Sequence, residues 1–143
     1  MDVRLRDVVE TDLPIYFEHQ RDPVAVEMAA FPARDAEAFA AHWEKILADP
    51  AVIAMTVETD GEVAGGVVSW PDEDRRYVGY GLGRSFWGRG IASEALRAFL
   101  VQVSDRPLHA YVAVHNLGSQ RVLEKCGFTS VERDEEEILY ELR

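Results

Sequence analysis

The sequence predicts one α/β domain built on a mixed, mostly antiparallel sheet of six to seven strands, with helices on both faces. Short runs typical of strands alternate with amphipathic helical segments along the whole chain. A helix separates two central strands, which allows these two strands to run parallel, whereas most other strands follow one another through short turns. The 143 residues are in the usual size range of a single domain, and we place that domain at 1–143.

The composition excludes several classes of protein. A net charge of −11 opposes nucleic-acid binding, which depends on basic groups, and suits a cationic amine better. The single Cys126 cannot form an internal disulfide, and the N-terminus lacks the apolar run of a secretory signal. We therefore expect a cytoplasmic protein. No apolar stretch approaches the ~20 residues of a membrane span.

The first elements are a strand and a helix. Val3, Leu5 and Val8 alternate with charged residues, as in a half-buried strand. Thr11 or Asp12 can cap the following helix, whose first turn contains a proline. This helix should end at Asp22-Pro23, because a residue before proline avoids helical geometry.

A second helix and a hairpin come next. Apolar residues recur at helical spacing from Asp35 until Asp49-Pro50, which predicts one buried stripe. Val52–Val57 and Val63–Trp70 are apolar strands, and the Asp60-Gly61 turn between them predicts a hairpin.

A third strand and a long helix follow. Residues 71–76 are charged after Pro71 and predict a solvated loop rather than a metal site, because no histidine is regularly spaced with them. We expect no metal. The third strand is Tyr77–Leu82. The helix after the glycine-rich segment begins at Ile91, has a well-defined apolar face and ends near Asp105–Pro107.

The last third of the chain contains three strands and one short helix. Leu108–Val114 predicts a strand, and Leu117–Cys126 predicts a helix that Gly127 closes in a left-handed cap. Phe128–Val131 and Ile138–Leu142 complete the sheet.

The turn between Leu82 and Ile91 is the candidate ligand-binding segment. Successive N–H groups in a glycine-rich strand-to-helix turn can bind an anion, and the helix dipole adds to their attraction. The spacing matches neither the dinucleotide fingerprint nor the nucleotide-triphosphate loop. What remains is Gly88-x-Gly90-x-Ala92, with Arg89 able to add charge. A tight connection without a ligand is the alternative.

Four blocks of sequence carry a family resemblance. They are Val78-Gly79-Tyr80, Phe86–Ala95, Val114–Ser119 and Glu124–Phe128. In this order they resemble the GNAT superfamily of N-acetyltransferases, and in particular the RimJ/RimL-like branch that acetylates ribosomal protein N-termini. The resemblance covers nearly the whole chain and implies the GNAT fold.

The resemblance implies acetyl-CoA as the co-substrate. The residues it assigns to the cofactor are Leu82, Gly83, Trp87, Gly88, Arg89, Gly90, Ile91, Ala92, Ser93, Asn116 and Ser119. The loop N–H groups would hold the pyrophosphate, and the Leu82-Gly83 backbone would pair with the pantetheine arm like an added strand. Asn116 and Ser119 could instead be only a helix cap and a first-turn residue.

Acetyl transfer needs an oxyanion donor, an acid and a base. We expect the donor to be a main-chain N–H near Leu82-Gly83. The candidates for protonating the thiolate are Ser119, which the resemblance favours, and Tyr111, which could also be a core residue. Where relatives often carry glutamate as the base, this chain has Tyr77. The base stays open among Glu58, Glu73, Asp74, His109 and a water chain.

The predicted function is direct acetyl transfer in a ternary complex to a primary amine, either a peptide N-terminus or a small amine. Tyr77 motivates the alternative of an acyl-CoA sensor without turnover. A third possibility is an interaction protein in which the glycine turn is only structural. The acceptor site is expected around 22–36 and the last hairpin. Relatives are often dimers, so a homodimer is compatible with the family.

Overall fold

A computed structural model describes residues 2–29 and 32–143. Its sheet has seven strands in the order β1-β2-β3-β4-β5-β7-β6. The strands are β1 (Val3–Asp7), β2 (Ile53–Thr59), β3 (Glu62–Asp72), β4 (Arg75–Leu82), β5 (Leu108–Ala113), β6 (Thr129–Arg133) and β7 (Glu137–Leu142). Only β4 and β5 are parallel neighbours in this sheet. The predicted mixed, mostly antiparallel sheet is confirmed.

Five α-helices within the described residues cover both faces of the sheet. They are α1 (Leu13–Arg21), α2 (Pro23–Ala29), α3 (Ala36–Ala48), α4 (Ile91–Gln102) and α5 (Leu117–Lys125). Helices α4 and α5 pack on one face, in a main core around Ile91, Phe99 and Leu123. Helices α1 and α3 pack on the other face, in a second core around Tyr16 and Trp43. None of the helices in the described ranges is long and apolar enough to cross a membrane.

The predicted loop at 71–76 is wrong. Strand β3 continues to Asp72 and β4 begins at Arg75, so the two strands form a tight hairpin. The rings of Trp70 and Tyr77 stack across the two strands with centroids 6.0 Å apart, which favours continued pairing. Pro71 is tolerated because the pairing of β3 with β2 ends at Ser69, so no neighbour needs its missing N–H.

The sequence prediction missed α2. Helix α1 ends at Arg21 as expected, but Pro23 opens a new helix directly. The Asp22 side chain accepts hydrogen bonds from the N–H groups of Val24 and Ala25 at 2.9 and 3.3 Å, which caps the new helix. The expected acceptor segment at 22–36 therefore begins with a helix, and its residues 30 and 31 lie outside the described ranges.

An opening separates the two halves of the sheet. Strands β4 and β5 pair only at Arg76 with Leu108 and at Tyr77 with His109. Beyond these pairs, β4 continues with β3 as far as Leu82, and β5 continues with β7 as far as Ala113. The two halves therefore diverge, and β4 has a free edge towards its carboxyl end.

Candidate active site

The glycine-rich loop after β4 exposes its backbone. Gly88 and Gly90 have φ angles of +72° and +80°, in the left-handed region that favours glycine. A Cβ atom at either position would meet no atom within 4 Å. These two glycines therefore give an incoming ligand close access to the main chain, and Gly90 is also the N-cap of α4.

The first turn of α4 adds N–H groups to this loop. The N–H of Glu94 makes the first helical bond, to the Gly90 carbonyl at 3.2 Å, so the N–H groups of Ile91, Ala92 and Ser93 have no carbonyl inside the helix. The buried Ile91 and Ser93 side chains fix this turn. The guanidinium of Arg89 lies 5.6 Å from the centre of the Phe86 ring, at the rim of the loop. This surface suits an anion.

The free edge of β4 presents alternate backbone groups. The Gly83 N–H donates to the Ala64 carbonyl of β3 at 2.9 Å, so it is not free to bind an oxyanion. Because hydrogen-bonding direction alternates along an antiparallel strand, Leu82 and Tyr80 direct their N–H and C=O groups away from β3, towards the opening. The Leu82 carbonyl accepts a hydrogen bond from Trp87 Nε1 at 2.9 Å.

Tyr80 connects this strand to α5. Its Oη lies 2.6 Å from Ser119 Oγ and also donates to the Ser119 carbonyl at 3.3 Å. Burial raises the pKa of Tyr80 to about 12, so the phenol keeps its proton at neutral pH. Sequence reasoning gave Tyr80 no role. The alternation of β4, which puts Tyr80 on the same face as the buried Val78, was the available signal.

Asn116 acts as the N-cap of α5. Its Oδ1 accepts the Ser119 N–H at 3.1 Å, which is the cap geometry expected from the residue type. Among the described residues, no acceptor bonds its side-chain Nδ2. The cap therefore fixes Ser119 beside Tyr80 and leaves an amide donor at the start of the helix.

The two candidate acids lie on opposite faces of the sheet. Ala110 and Val112 of β5 are buried in the main core with α4 and α5, so Tyr111 between them points to the other face. Tyr111 is 53% exposed and stacks on Tyr77, with ring centroids 5.7 Å apart. Ser119 lies with Tyr80 on the main-core face of the opening, and Tyr111 is not a core residue.

The side chains considered as bases lie away from the free end of β4 or are already paired. Glu73 and Asp74 form the turn before β4, at the opposite end of the strand from Leu82. Glu58 accepts a hydrogen bond from Arg6 at 2.7 Å. His109 is 3% exposed, and its Nε2 lies 3.1 Å from a Glu141 oxygen.

A different histidine lies at the free end of β4. A Cβ atom built on Gly83 would lie 2.5 Å from His19 Nε2, so the imidazole of α1 covers this glycine. Burial lowers the pKa of His19, which favours a neutral ring. An ion pair between Asp22 and Arg84 at 3.3 Å ties the end of α1 to the turn after β4. Sequence analysis could not bring α1 to this strand.

The opened mixed sheet, the exposed glycine loop and the free strand edge are together the features of an acetyltransferase domain. Residues 2–129 match the family described as Acetyltransferase (GNAT) domain. The chain belongs to this family of acetyltransferases. Within residues 2–29 and 32–143, no cluster of three or more His, Cys, Asp or Glu side chains could hold a metal ion.

Solved structures share the fold over almost the whole chain. The aminoglycoside acetyltransferase AAC(6')-Ib in complex with coenzyme A matches with a TM-score of 0.79 at 20% identity, over 98% of this chain and 93% of that chain. A domain from Methanocaldococcus jannaschii matches with 0.82 at 17% identity, over 99% and 97%. An acetyltransferase from Agrobacterium tumefaciens matches with 0.82 at 22% identity, over 99% and 90%. No curated protein sequence matches significantly.

Proposed function

We propose that this protein transfers the acetyl group of acetyl-CoA directly to a primary amine within a ternary complex. The observation that carries the proposal is the continuity of two ligand surfaces, the open loop at Gly88 and Gly90 and the free edge of β4 at Leu82. A loop that only connects two elements would not need both features.

The residues present fit the shape and charge of CoA. The space beside Gly88 and Gly90 is open, the N–H groups of Ile91 to Ser93 have no carbonyl inside the helix, and Arg89 adds a positive charge, so this loop would hold the pyrophosphate. The outward N–H of Leu82 would pair with the pantetheine arm as an added strand does. Asn116 Nδ2 would bond the same arm.

The chemical step forms a C–N bond to the amine and breaks the C–S bond of the thioester. The outward N–H of Tyr80, which is left when Leu82 pairs with the pantetheine arm, would stabilise the negative charge that develops on the carbonyl oxygen. Holding both reactants in register supplies a large part of the rate, up to ~7 to 11 kcal/mol in the best intramolecular models.

Ser119 is the preferred donor to the departing thiolate. Burial raises the pKa of Tyr80 to about 12, so its hydroxyl stays protonated at neutral pH. If Tyr80 turns its single proton from the Ser119 carbonyl to Ser119 Oγ, the serine hydroxyl is free to donate to sulfur. Tyr111 lies on the other face and is the second candidate, from the acceptor side of the opening.

His19 is the proton acceptor that we assign. Its imidazole covers Gly83, the residue after Leu82, whose N–H and C=O groups point into the opening. Burial lowers the pKa of His19, so the imidazole is neutral at neutral pH. The proton of the attacking amine passes to this ring, directly or through one water molecule.

Two acceptor classes agree with different observations. Structures of AAC(6')-Ib were solved with kanamycin or ribostamycin together with coenzyme A, which favours a small amine. The RimJ/RimL-like resemblance favours a peptide N-terminus. The net charge of −11 suits a cationic acceptor rather than nucleic acid.

We place the protein in the cytoplasm and keep a homodimer as the assembly that the family suggests.

An acyl-CoA sensor without turnover is the second candidate, because Tyr77 stands where relatives often carry the acidic base. Two measurements on one preparation separate the candidates. Calorimetry with CoA measures binding, and thiol release from acetyl-CoA in the presence of kanamycin, ribostamycin, spermidine or a short peptide measures transfer.

We expect CoA to bind and at least one amine to release thiol above the rate of hydrolysis. CoA at a concentration of 100 times its Kd should stabilise the folded protein by about 2.7 kcal/mol and raise its melting temperature. Such binding without thiol release would favour the sensor. No heat and no thermal shift would contradict both.

A further inference from the structure

Three aromatic rings surround one bare glycine on the α1 and α3 face of the sheet. A Cβ built on Gly79 would lie 3.2 Å from the Trp70 ring, and one built on Gly83 would lie 2.5 Å from the His19 ring. Gly81, between these two on β4, would meet nothing within 4 Å. The strand backbone is therefore covered on both sides of Gly81 and open at Gly81 itself.

The neighbouring strand supplies the third ring. Gly66 of β3 pairs with Gly81, and a Cβ on Gly66 would lie 3.1 Å from the Tyr16 hydroxyl. Tyr16 is buried, and its hydroxyl bonds to Thr56, so this wall is fixed. The fourth side of Gly81 faces the opening between β4 and β5. We call this space the Gly81 hollow, with walls of Trp70, Tyr16 and His19.

The Trp70 wall is held by a row of stacked rings. Trp70 stacks on Tyr77 at an interplanar angle of 20°, and Tyr77 stacks on Tyr111 at 13°. The row crosses from β3 to β5 at the point where β4 and β5 separate. It closes the narrow end of the opening and keeps the tryptophan ring above Gly79.

The position of the hollow matters for acetyl transfer. Gly81 lies between Tyr80 and Leu82, whose N–H groups point into the opening from the same strand. A ligand on the floor at Gly81 would therefore approach the β4 edge from the face opposite to Ser119. Two residues of strand span about 7 Å, so the floor between Gly79 and Gly83 is about 13 Å long before the rings are considered.

We propose that the Gly81 hollow is the acceptor pocket, and that it takes a primary amine carried on a compact, ring-shaped carbon body. This inference rests on the proposed acetyl transfer. Aromatic faces favour the carbon body of such an acceptor and any further ammonium group that it carries. An extended peptide is less suited, because it binds best along a free strand edge, and the β4 edge serves the pantetheine arm.

Filling the floor tests the proposal. Gly81→Ala and Gly81→Val add a side chain into empty space at an ordinary backbone conformation, so we expect an unchanged melting temperature and an unchanged Kd for CoA. The kcat/KM for kanamycin should fall about tenfold or more with alanine and further with valine, because one misplaced methyl group in a pocket costs ~10- to 200-fold. Ethanolamine, which is small, should be affected least.

Gly118→Ala is the matched control, because its Cβ would also be uncrowded, with Asn116 Oδ1 the nearest atom at 3.9 Å. It should change the turnover of all amines by one common factor. Trp70→Leu, which removes a wall, should raise KM for kanamycin and leave the CoA Kd unchanged.

Three results would overturn the proposal: equal loss for kanamycin and ethanolamine in Gly81→Val, wild-type activity in that variant, or a short peptide that is acetylated by Gly81→Val as well as by the wild type. If the wild type releases no thiol with any amine, the proposed function fails and this inference fails with it. If the wild type acetylates amines but Gly81→Val loses activity equally for kanamycin and ethanolamine, this inference fails and the proposed function stands.

Discussion

At the scale of single residues, the site depends on which atoms stand next to the carboxyl end of β4. His19 covers Gly83, and Trp87 bonds the Leu82 carbonyl. Each contact uses a side chain from a different element, α1 in one case and the glycine loop in the other. Their substitution therefore separates proton transfer from cofactor binding.

His19→Gln should reduce kcat about 100-fold or more, which is the usual contribution of a positioned general base, with little change in KM for acetyl-CoA. Burial lowers the pKa of His19, so the wild-type rate should fall only at pH values below the ordinary histidine range of ~6.5. The variant should lose this acid limb.

His42→Gln is the control for His19→Gln. His42 lies on α3 beside Trp43, and burial lowers its pKa too, but its ring does not cover Gly79, Gly81 or Gly83 of β4. Equal pH–rate profiles for His19→Gln and the wild type would disprove the role of His19.

Trp87→Phe removes the indole N–H that bonds Leu82 and keeps an aromatic ring in the loop. Because the Leu82 carbonyl points to the same free edge as the Leu82 N–H, its release offers the pantetheine arm a second hydrogen bond, and we expect CoA to bind about 3- to 10-fold more tightly, the net value of one hydrogen bond. Calorimetry with adenosine 3',5'-bisphosphate, which lacks the arm, should show no change. Weaker CoA binding would mean that Trp87 supports the cofactor instead.

At the scale of elements, α1 is attached to the sheet by a buried carboxylate. Asp12 accepts two bonds from Arg6, both at 2.8 Å, one from the Val9 N–H and one from Thr56. The Arg6 guanidinium is the main cause that lowers the pKa of Asp12 to about 2. The same helix carries Tyr16 and His19 to the β4 face, so this anchor positions two walls of the hollow.

Asp12→Asn should lower the free energy of unfolding at pH 7 by about 2 kcal/mol, because it removes the buried carboxylate that pairs with Arg6 and leaves that partly exposed guanidinium with Glu58 as its acidic partner. A carboxyl group with a lowered folded-state pKa stabilises the fold above its unfolded value of ~3.9, and this contribution is lost as pH falls towards about 2. Urea unfolding at pH 7 and pH 3 should therefore show a smaller difference between the two pH values in the variant.

Asp2→Asn is the control, since Asp2 pairs with Arg4 at 2.9 Å with both side chains more than half exposed. Its effect should stay within about 1 kcal/mol. A pH dependence in Asp12→Asn as steep as in the wild type would show that other carboxylates carry it.

Local sequence signals predicted most elements but not the arrangement between them. The helix start near Asp35, the left-handed Gly127 and the stripe of α4 depend on neighbouring residues, and these features occur as predicted. The side-chain cap predicted at Thr11 or Asp12 does not form, because the Asp12 carboxylate accepts hydrogen bonds from Arg6, Val9 and Thr56 instead. The hairpin at Glu73 did not follow, because the stacking of Trp70 on Tyr77 is a contact between strands. Helix α2 was missed because Pro23 signals both the end of one helix and the start of another.

The candidate site was predictable where it is made of backbone. The loop from Gly88 to Ala92 has a sequence spacing that shows its geometry directly. Tyr80, His19 and the Gly81 hollow depend on which strands and helices meet, and a single sequence does not contain this information. The alternation of β5 could have predicted that Tyr111 lies on the sheet face opposite to Ser119. That prediction also requires knowledge of which strands and helices are neighbours.

At the scale of the whole molecule, the charge of −11 acts on the two substrates in opposite directions. A negative field attracts a cationic amine and repels anionic CoA, and added salt screens both effects. We expect kcat/KM for kanamycin to decrease with ionic strength and KM for acetyl-CoA to decrease as well. An increase in KM for acetyl-CoA with salt would indicate that local groups such as Arg89 outweigh the overall field.

In the proposed function, donor and acceptor bind on the two sides of one strand. The main-core face of β4 carries Tyr80 and meets Ser119, and the opposite face carries Gly81 and meets His19. Under this proposal, both substrates would meet at the free edge between these faces. This layout supports the proposed direct transfer in a ternary complex, because acetyl-CoA and the amine could occupy the two faces at the same time.

The most direct test of the account is a paired measurement of thiol release and acetylated product for acetyl-CoA with kanamycin, ribostamycin, spermidine and a short peptide. The account predicts that at least one amine releases CoA well above the hydrolysis rate and gives acetyl-amine in equal amount. A folded protein that binds CoA but yields neither product with any of these amines would contradict it.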